Sequence, residues 1–231
     1  MKQEKIWDYY QGQGIHVFDG NAARLKFLIR QLPPAGQRVL NIGVGNGWLE
    51  KMIRAQSKHD IYSLDPSAVA IERLRAEIGM DSDHAKVGYS QEIPFPDNTF
   101  DAIIMSEVVE HLEDDVIAET LREISRVLAP RGRYIGTVPA DERLEDNQVV
   151  CPRCGELFHR VGHVQSFSKE RLAGLLRRNF QNVFVKHVYL TDWHTLNWKG
   201  RLKWLAKKGL LRAGVKGSSG NLYFEAVRRG S

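Results

Sequence analysis

VLNIGVGNGWLE, residues 39–50, reads as a buried strand that runs into a glycine-rich turn and then a helix. Val39, Leu40 and Ile42 supply the apolar strand. Gly43, Gly45 and Gly47 let the backbone turn tightly and approach a ligand without Cβ clashes. Trp48, Leu49, Met52 and Ile53 then recur at helical spacing. A unit of this kind cradles adenosine-containing ligands. A dinucleotide fingerprint would need glycine where this chain has Trp48, so the G-x-G-x-G spacing argues against a pyrophosphate docked on the helix start. Twenty positions after Gly45, the run Ile61-Tyr62-Ser63-Leu64-Asp65 ends a second apolar strand in a carboxylate placed to accept both hydroxyls of a ribose.

Working outward, strand-like and helix-like segments alternate, the pattern of an α/β fold with a parallel sheet and helices on both faces. Residues 68–77 read as a helix, 85–88 as a short strand and 101–105 as a buried strand. Val116, Ile117, Leu121, Ile124, Val127 and Leu128 mark the core face of the next helix, which Pro130 and Gly132 should stop. A fifth strand is expected over 132–138, a sixth over 183–190 and a last over 221–228. The whole chain, 1–231, reads as one domain with two insertions, 139–165 and 191–220. Both leave strand ends, where open α/β sheets bind ligands, so they are expected to wall or lid a substrate pocket.

The chain has 231 residues, 42% of them hydrophobic, with no apolar run long enough for a membrane span and no signal-peptide core at MKQEKIWDYY, so a cytoplasmic protein is expected. Its two cysteines, Cys151 and Cys154, argue for a metal clip or a redox pair rather than a disulfide framework. The net charge of +5 is clustered: Lys199, Arg201, Lys203, Lys207, Lys208, Arg212 and Lys216 interleave with Trp198, Leu202, Trp204, Leu205, Leu210 and Leu211. Residues 198–216 therefore suit either peripheral membrane contact through an interfacial helix or a solvated helix capping the fold.

VLNIGVGNG, YSLDPS, IPFPDNTFDAIIMSEVVEHL and VLAPRGRYIGTVP stand in the order and spacing of the class I S-adenosylmethionine-dependent methyltransferases, and the chain resembles that family through most of its length. The resemblance implies a Rossmann-like seven-stranded sheet whose last strand inserts antiparallel between the fifth and sixth. It implies S-adenosyl-L-methionine as cofactor, with Gly43, Gly45 and Gly47 along its methionine and ribose portions and Asp65 clamping the ribose. Asn41 stands where the family more often has aspartate, and Tyr89 where an acid commonly bonds the adenine amine. Ser90 and Gln91 are therefore expected to contact the adenine by backbone or side chain, with Pro66 or Ser67 packed near the base and Ser106 completing the cofactor site. Trp7, Tyr9, Tyr10, His16 and Phe18 resemble the family's cap over the cofactor, or else pack an N-terminal helix.

Methyl transfer is an in-line displacement at a sulfonium methyl, so the protein chiefly holds methyl and acceptor atom in line. Ser106-Glu107-Val108-Val109-Glu110-His111-Leu112 closes the fourth strand where the acceptor should lie. His111, with Glu107 beside it, is a candidate general base, because an imidazole of ordinary pKa near 6.5 takes a proton at neutral pH; alternatively it only bonds the loop backbone. Glu107, Glu110, His111 and His163 resemble the acids and histidines that some members, including small-RNA 2′-O-methyltransferases and ubiquinone-pathway O-methyltransferases, place around a divalent ion such as magnesium. Cys151, Cys154, His159 and His163 stand as C-x2-C-x4-H-x3-H, a ligand set that tetrahedral zinc prefers; the cysteines alone could also be a reduced turn or a redox pair. The two metal readings compete for His163.

The expected activity is methylation of a hydroxyl, or of an amine, on a small molecule or glycoconjugate. RNA 2′-O-methylation with a divalent ion fits the charge and the Glu-x-x-Glu-His pattern, but no nucleic-acid-binding module is recognisable. A third reading, a cofactor-binding scaffold without turnover, is motivated by Asn41 and Tyr89 and opposed by the retention of Asp65, His111 and three glycines.

Overall fold

The computed structural model describes residues 22–33, 36–56, 58–191, 197–212 and 220–230. Trp7, Tyr9, Tyr10, His16 and Phe18 lie outside them, as do residues 213–216 of the basic segment. Helix α1 (Ala22–Ile29) precedes β1 (Arg38–Ile42), α2 (Trp48–Gln56), β2 (Asp60–Asp65), α3 (Ala68–Ile78), β3 (Ala85–Val87) and β4 (Phe100–Ser106). Then follow α4 (Asp114–Val127), β5 (Leu128–Pro139), a hairpin of β6 (Gln148–Val150) and β7 (Leu157–His159), α5 (Lys169–Leu176), β8 (Phe180–Val188), α6 (Trp198–Arg212) and β9 (Asn221–Arg228).

Seven strands form one sheet in the order β3-β2-β1-β4-β5-β9-β8. β1 pairs parallel with β2 and β4, and β4 with β5, while β9 lies antiparallel to both β5 and β8. The last strand thus sits between the fifth and sixth strands of the sheet, as the family resemblance implies. Side chains alternate across a strand, and β4 shows the result: Ile103 and Met105 enter one core with Leu121 and Ile124 of α4 and Leu172 and Leu176 of α5. Ala102 and Ile104 enter the other with Leu28 of α1, Leu49 and Ile53 of α2, and Ile71 and Leu74 of α3. Burial on both faces explains why β4 reads as a continuous apolar run.

Two boundaries differ from the sequence expectation. β5 begins at Leu128 rather than 132, immediately after α4, because Pro130 disfavours the helical region for the residue before it. The sixth sheet strand, β8, starts at Phe180 and absorbs an irregularity between Gln181 and Phe184, where Asn182 takes φ +49°. The insertion after β5 contains the two-stranded β6–β7 hairpin, and the one after β8 contains α6. Among the described residues no helix is long and apolar enough to cross a membrane.

Candidate functional site

The carboxyl ends of β1, β2, β4 and β5 converge on the glycine turn. Gly43, Gly45 and Gly47 take φ of +89°, +55° and +72°. Gly43 N–H still donates to the Leu64 carbonyl at 2.9 Å, so β1 stays paired to β2 as the chain turns. A Cβ on Gly43 would stand 2.5 Å from Val108 Cγ2, which shows how closely the turn presses on the segment after β4. Buried Asp65 fixes this turn with both oxygens: Oδ2 accepts from Val44 N–H at 2.8 Å and Oδ1 from Ser67 N–H at 2.9 Å. Pro66 follows directly. Arg73 of α3 donates to the Gly45 carbonyl at 2.7 Å.

Glu50 is a buried carboxyl beneath the glycine turn that the sequence reading did not single out. It is fully buried, and Oε1 accepts from Asn41 Nδ2 at 2.7 Å and from the Ser63 hydroxyl at 2.8 Å. Asn41 replaces an aspartate, yet a carboxyl group lies under the turn all the same, delivered from α2. Burial pushes the Glu50 carboxyl above its ordinary 4.5. Glu50 stands with Leu49 and Ile53 on the buried face of α2. At the adenine end, Ser90 is buried and its hydroxyl shares a 2.8 Å hydrogen bond with that of Thr120 on α4. Its side chain is thus committed to the core, which leaves the backbone, one of the two expected routes, for contact with the base. Gln91 is half-buried beside it.

Beyond β4, the Ser106 hydroxyl is 2.8 Å from that of Thr137 on β5. Glu107 takes φ +56°, a left-handed conformation that costs a non-glycine residue about 1–3 kcal/mol and is held only where surroundings enforce it. Here its N–H donates to Thr137 O at 2.8 Å, Asn221 Nδ2 donates to both carboxylate oxygens at 3.0 and 3.1 Å, and Arg24 lies 3.6 Å away. Glu110 is 1% exposed, and neither carboxyl oxygen has a hydrogen-bond partner. Burial, then the charge of Glu107, raise its pKa well above 4.5. His111 Nδ1 lies 2.9 Å from the Gly162 carbonyl, which fixes the proton on Nδ1 and the lone pair on Nε2. Burial drives its pKa down to about 3, so the imidazole is neutral and bonded to the loop backbone rather than poised near 6.5 as a base.

The insertion after β5 folds His159 and His163 against this segment. His163 Nδ1 is 2.5 Å from Glu142 Oε2, its Nε2 is 3.9 Å from Glu110 Oε1, and its ring stacks on His159 with centroids 4.6 Å apart. His159 Nδ1 accepts from His163 N–H at 3.0 Å, which turns its Nε2 toward Glu142, 3.4 Å away. Two sets of potential metal ligands result, Glu110–His111–His163 and Glu142–His159–His163, each with ligand atoms within 4.8 Å of one another. Neither contains Glu107, which is engaged by Arg24 and Asn221.

Neither set contains a cysteine, which corrects the C-x2-C-x4-H-x3-H reading. β6 and β7 pair with Gln148 opposite His159 and Val150 opposite Leu157, so His159 sits at the hairpin base and Cys151 and Cys154 in its turn. At about 3.4 Å per residue the base and turn are roughly 10 Å apart, whereas two donors on one zinc, each about 2.0–2.3 Å from the ion, are separated by less than half of that.

Residues 15–183 match the family described as Methyltransferase domain. Among curated relatives, the ubiquinone biosynthesis O-methyltransferase of Xanthomonas axonopodis pv. citri is 31% identical over 115 residues, 49% of this chain and 47% of that protein. The chain spans about half the length of the curated relatives it matches. Among solved structures, a chain of the complex between the Haloferax volcanii Trm112 methyltransferase activator and a methyltransferase aligns with TM-score 0.68 at 19% identity, covering 96% of this chain and 97% of that one. The phosphoethanolamine N-methyltransferase 2 of Haemonchus contortus, solved with S-adenosyl-L-methionine, aligns with TM-score 0.64 at 18% identity, covering 98% and 56%. At these identities the structural likeness is one of fold.

Proposed function

From the premise that the chain belongs to the methyltransferase family and uses S-adenosylmethionine as methyl donor, we propose that it methylates a hydroxyl group of a small molecule or glycoconjugate. The observation that carries this reading is Glu110: a buried carboxyl with both oxygens unpartnered, at the carboxyl end of β4 beside the neutral His111. A carboxyl whose pKa burial raises is, once ionised, a stronger base than an exposed one, which suits removal of a hydroxyl proton as the acceptor oxygen takes the methyl. The lone pair on His111 Nε2 orients that hydroxyl, and its low basicity keeps it from holding the proton. Gly43, Gly45 and Gly47 seat the methionine and ribose portions, Asp65 receives the ribose hydroxyls, Pro66 and Gln91 border the adenine with the backbone of Ser90, and Ser106 and Glu107 close the methyl-bearing end. The O-methyltransferase name of the Xanthomonas relative supports hydroxyl over amine.

A second reading is favoured by the orphaned oxygens of Glu110: a divalent cation held by Glu110, His111 and His163. Imidazole-rich sets suit zinc or iron better than magnesium. Such an ion would supply Lewis-acid polarisation of the acceptor oxygen, with these side chains holding it. On α6, Trp198, Leu202 and Leu205 are exposed beside Lys199, Arg201 and Lys203, and 197–212 contains no acidic residue. This supports an amphipathic acceptor or an anionic membrane surface as the docking partner.

The test is transfer of labelled methyl from S-adenosylmethionine to panels of phenolic, sugar-hydroxyl and amine acceptors, with wild type beside Glu110→Gln. Methyl ethers formed by wild type and lost in the variant are expected; methylamines alone would replace the hydroxyl reading.

A further inference from the structure

The cysteine pair is left without the histidines, at the turn of a hairpin that buries almost nothing. β6 and β7 are three residues each, and Val149, Val150 and Leu157 are 38%, 58% and 63% exposed. A hairpin this short is not stable by itself, and apolar side chains around its tip give it no reason to project into water. The turn is nevertheless closely specified. Cys151 N–H donates to the Glu156 carbonyl at 2.8 Å and Gly155 N–H to the Cys151 carbonyl at 2.9 Å. Gly155 takes φ +74° with nothing within 4 Å of where a Cβ would stand, so backbone handedness rather than crowding requires glycine there. These bonds set Cys151, half-buried, and Cys154, exposed, three positions apart on one closed turn, the C-x2-C spacing from which two cysteines bind a single zinc.

We propose that Cys151 and Cys154 are one half of a four-thiolate zinc site, and that the same pair on a second copy of this chain completes it, joining two hairpins tip to tip. Structural zinc is held by four nitrogen or sulfur ligands in a tetrahedron. One turn offers two, and among the described residues no set of three ligand atoms within 4.8 Å of one another includes either cysteine. A two-fold axis through the metal supplies the missing pair from an identical turn and brings Val149, Val150 and Leu157 of each copy together as a self-complementary patch. Four thiolates and one Zn²⁺ leave a charge of about −2; Arg153 stands between the two cysteines in sequence, and the Glu156 carboxylate, 4.0 Å from Cys154 Sγ, has to turn away on binding. The thiol protons go to solvent on binding, so assembly weakens in acid. A hairpin tip is too small a contact to hold two chains by burial alone, so the metal must hold them.

The experiment uses the full chain, purified without chelator and kept reduced, with mass by light scattering and zinc by elemental analysis. A dimer with one zinc per two chains at this site is expected. Cys151→Ser and Cys154→Ser should each halve the mass while retaining S-adenosylmethionine binding. In cobalt-exchanged protein they should also abolish the sulfur-to-cobalt charge-transfer absorption. His163→Ala should leave mass and that absorption unchanged, which separates the cysteine site from the Glu–His cluster. A monomer, a Cys151–Cys154 disulfide in place of zinc, or a dimer unmoved by chelator and by both serine variants each overturns the proposal.

Discussion

Gly43→Ala tests whether the glycine turn and the acceptor segment are one packed unit. Two costs attach to the substitution and can be separated. The first is backbone: at φ +89° an alanine leaves the region L-residues prefer, at roughly 1–2 kcal/mol. The second is steric: the new Cβ would stand 2.5 Å from Val108 Cγ2, so something must move, at about 1–3 kcal/mol for overpacking. Together they destabilise the fold by roughly 2–5 kcal/mol. Val108→Ala removes the offending Cγ2, and Val108 Cβ at 3.8 Å is ordinary contact. In that background Gly43→Ala should lose its steric share and cost only the backbone term. Urea unfolding of the four proteins gives the coupling directly, expected at about 1–3 kcal/mol with the double variant more stable than additivity allows. Cofactor affinity by calorimetry should follow the same pattern, because the displaced turn is the one assigned to the methionine and ribose. A cost of Gly43→Ala equal in both backgrounds, within about 0.5 kcal/mol, would refute the contact and with it the reading of the glycine turn and the segment after β4 as one packed unit.

Asp65→Ala should weaken S-adenosylmethionine binding by about 1.5–3 kcal/mol, the range for hydrogen bonds to a charged group, and unchanged affinity in calorimetry would reject its ribose role. Stability against pH carries two opposed signatures. His111, lowered by burial from 6.5 to about 3, stays neutral while the unfolded chain takes up a proton, so its contribution is lost as pH falls from 6.5 toward 3. Glu110 and Glu50, raised above 4.5 by burial, are stabilising below 4.5 and lose that contribution as pH rises through their folded values. Glu110→Gln should therefore gain on wild type as pH rises above about 5, by up to about 1.4 kcal/mol per pH unit; a difference constant with pH in urea unfolding would show that Glu110 is not a strained acid. Replacing Lys199, Arg201 and Lys203 by alanine should weaken binding to anionic vesicles by about 1 kcal/mol per charge, and no loss in sedimentation would make α6 a solvated cap.

What was legible in the sequence was what repeats locally. β1, β2 and β4 are buried on both faces, so their apolar runs announce a parallel sheet, and the glycine turn and Asp65 follow from their positions at strand ends. The helix after β4 was legible from its spaced apolar residues, because one face of it meets the sheet. Glu50 was not, because an acid on a short helix reads as a solvated residue until Asn41 and Ser63, on two different strands, are seen to donate to it. The partner of the Ser90 hydroxyl was hidden for a related reason: Thr120 is 30 residues away on α4. The strained φ of Glu107 has no composition signal at all, since Asn221, its partner at the start of β9, is 114 residues distant.

The cysteine and histidine run shows where spacing misleads. C-x2-C-x4-H-x3-H is compact if the intervening residues form a loop, and extended if they form a strand. Leu157, Phe158 and His159 are that strand, and every residue added to it carries His159 farther from Cys154. Their three residues are too few to show a period of two, so nothing in the one-dimensional pattern distinguishes the cases. His163 is claimed instead by Glu142, which sits 21 residues earlier beyond β5, and by Glu110 at the end of β4. The same pairing that removes the histidines from the cysteines brings them to the carboxyl ends of two sheet strands, where the acceptor is proposed to bind. The insertion therefore divides by position: its base packs against the segment after β4, and its tip faces outward. Substitutions at the tip should change assembly and spare turnover, while substitutions at His159, His163 or Glu142 should change turnover and spare assembly.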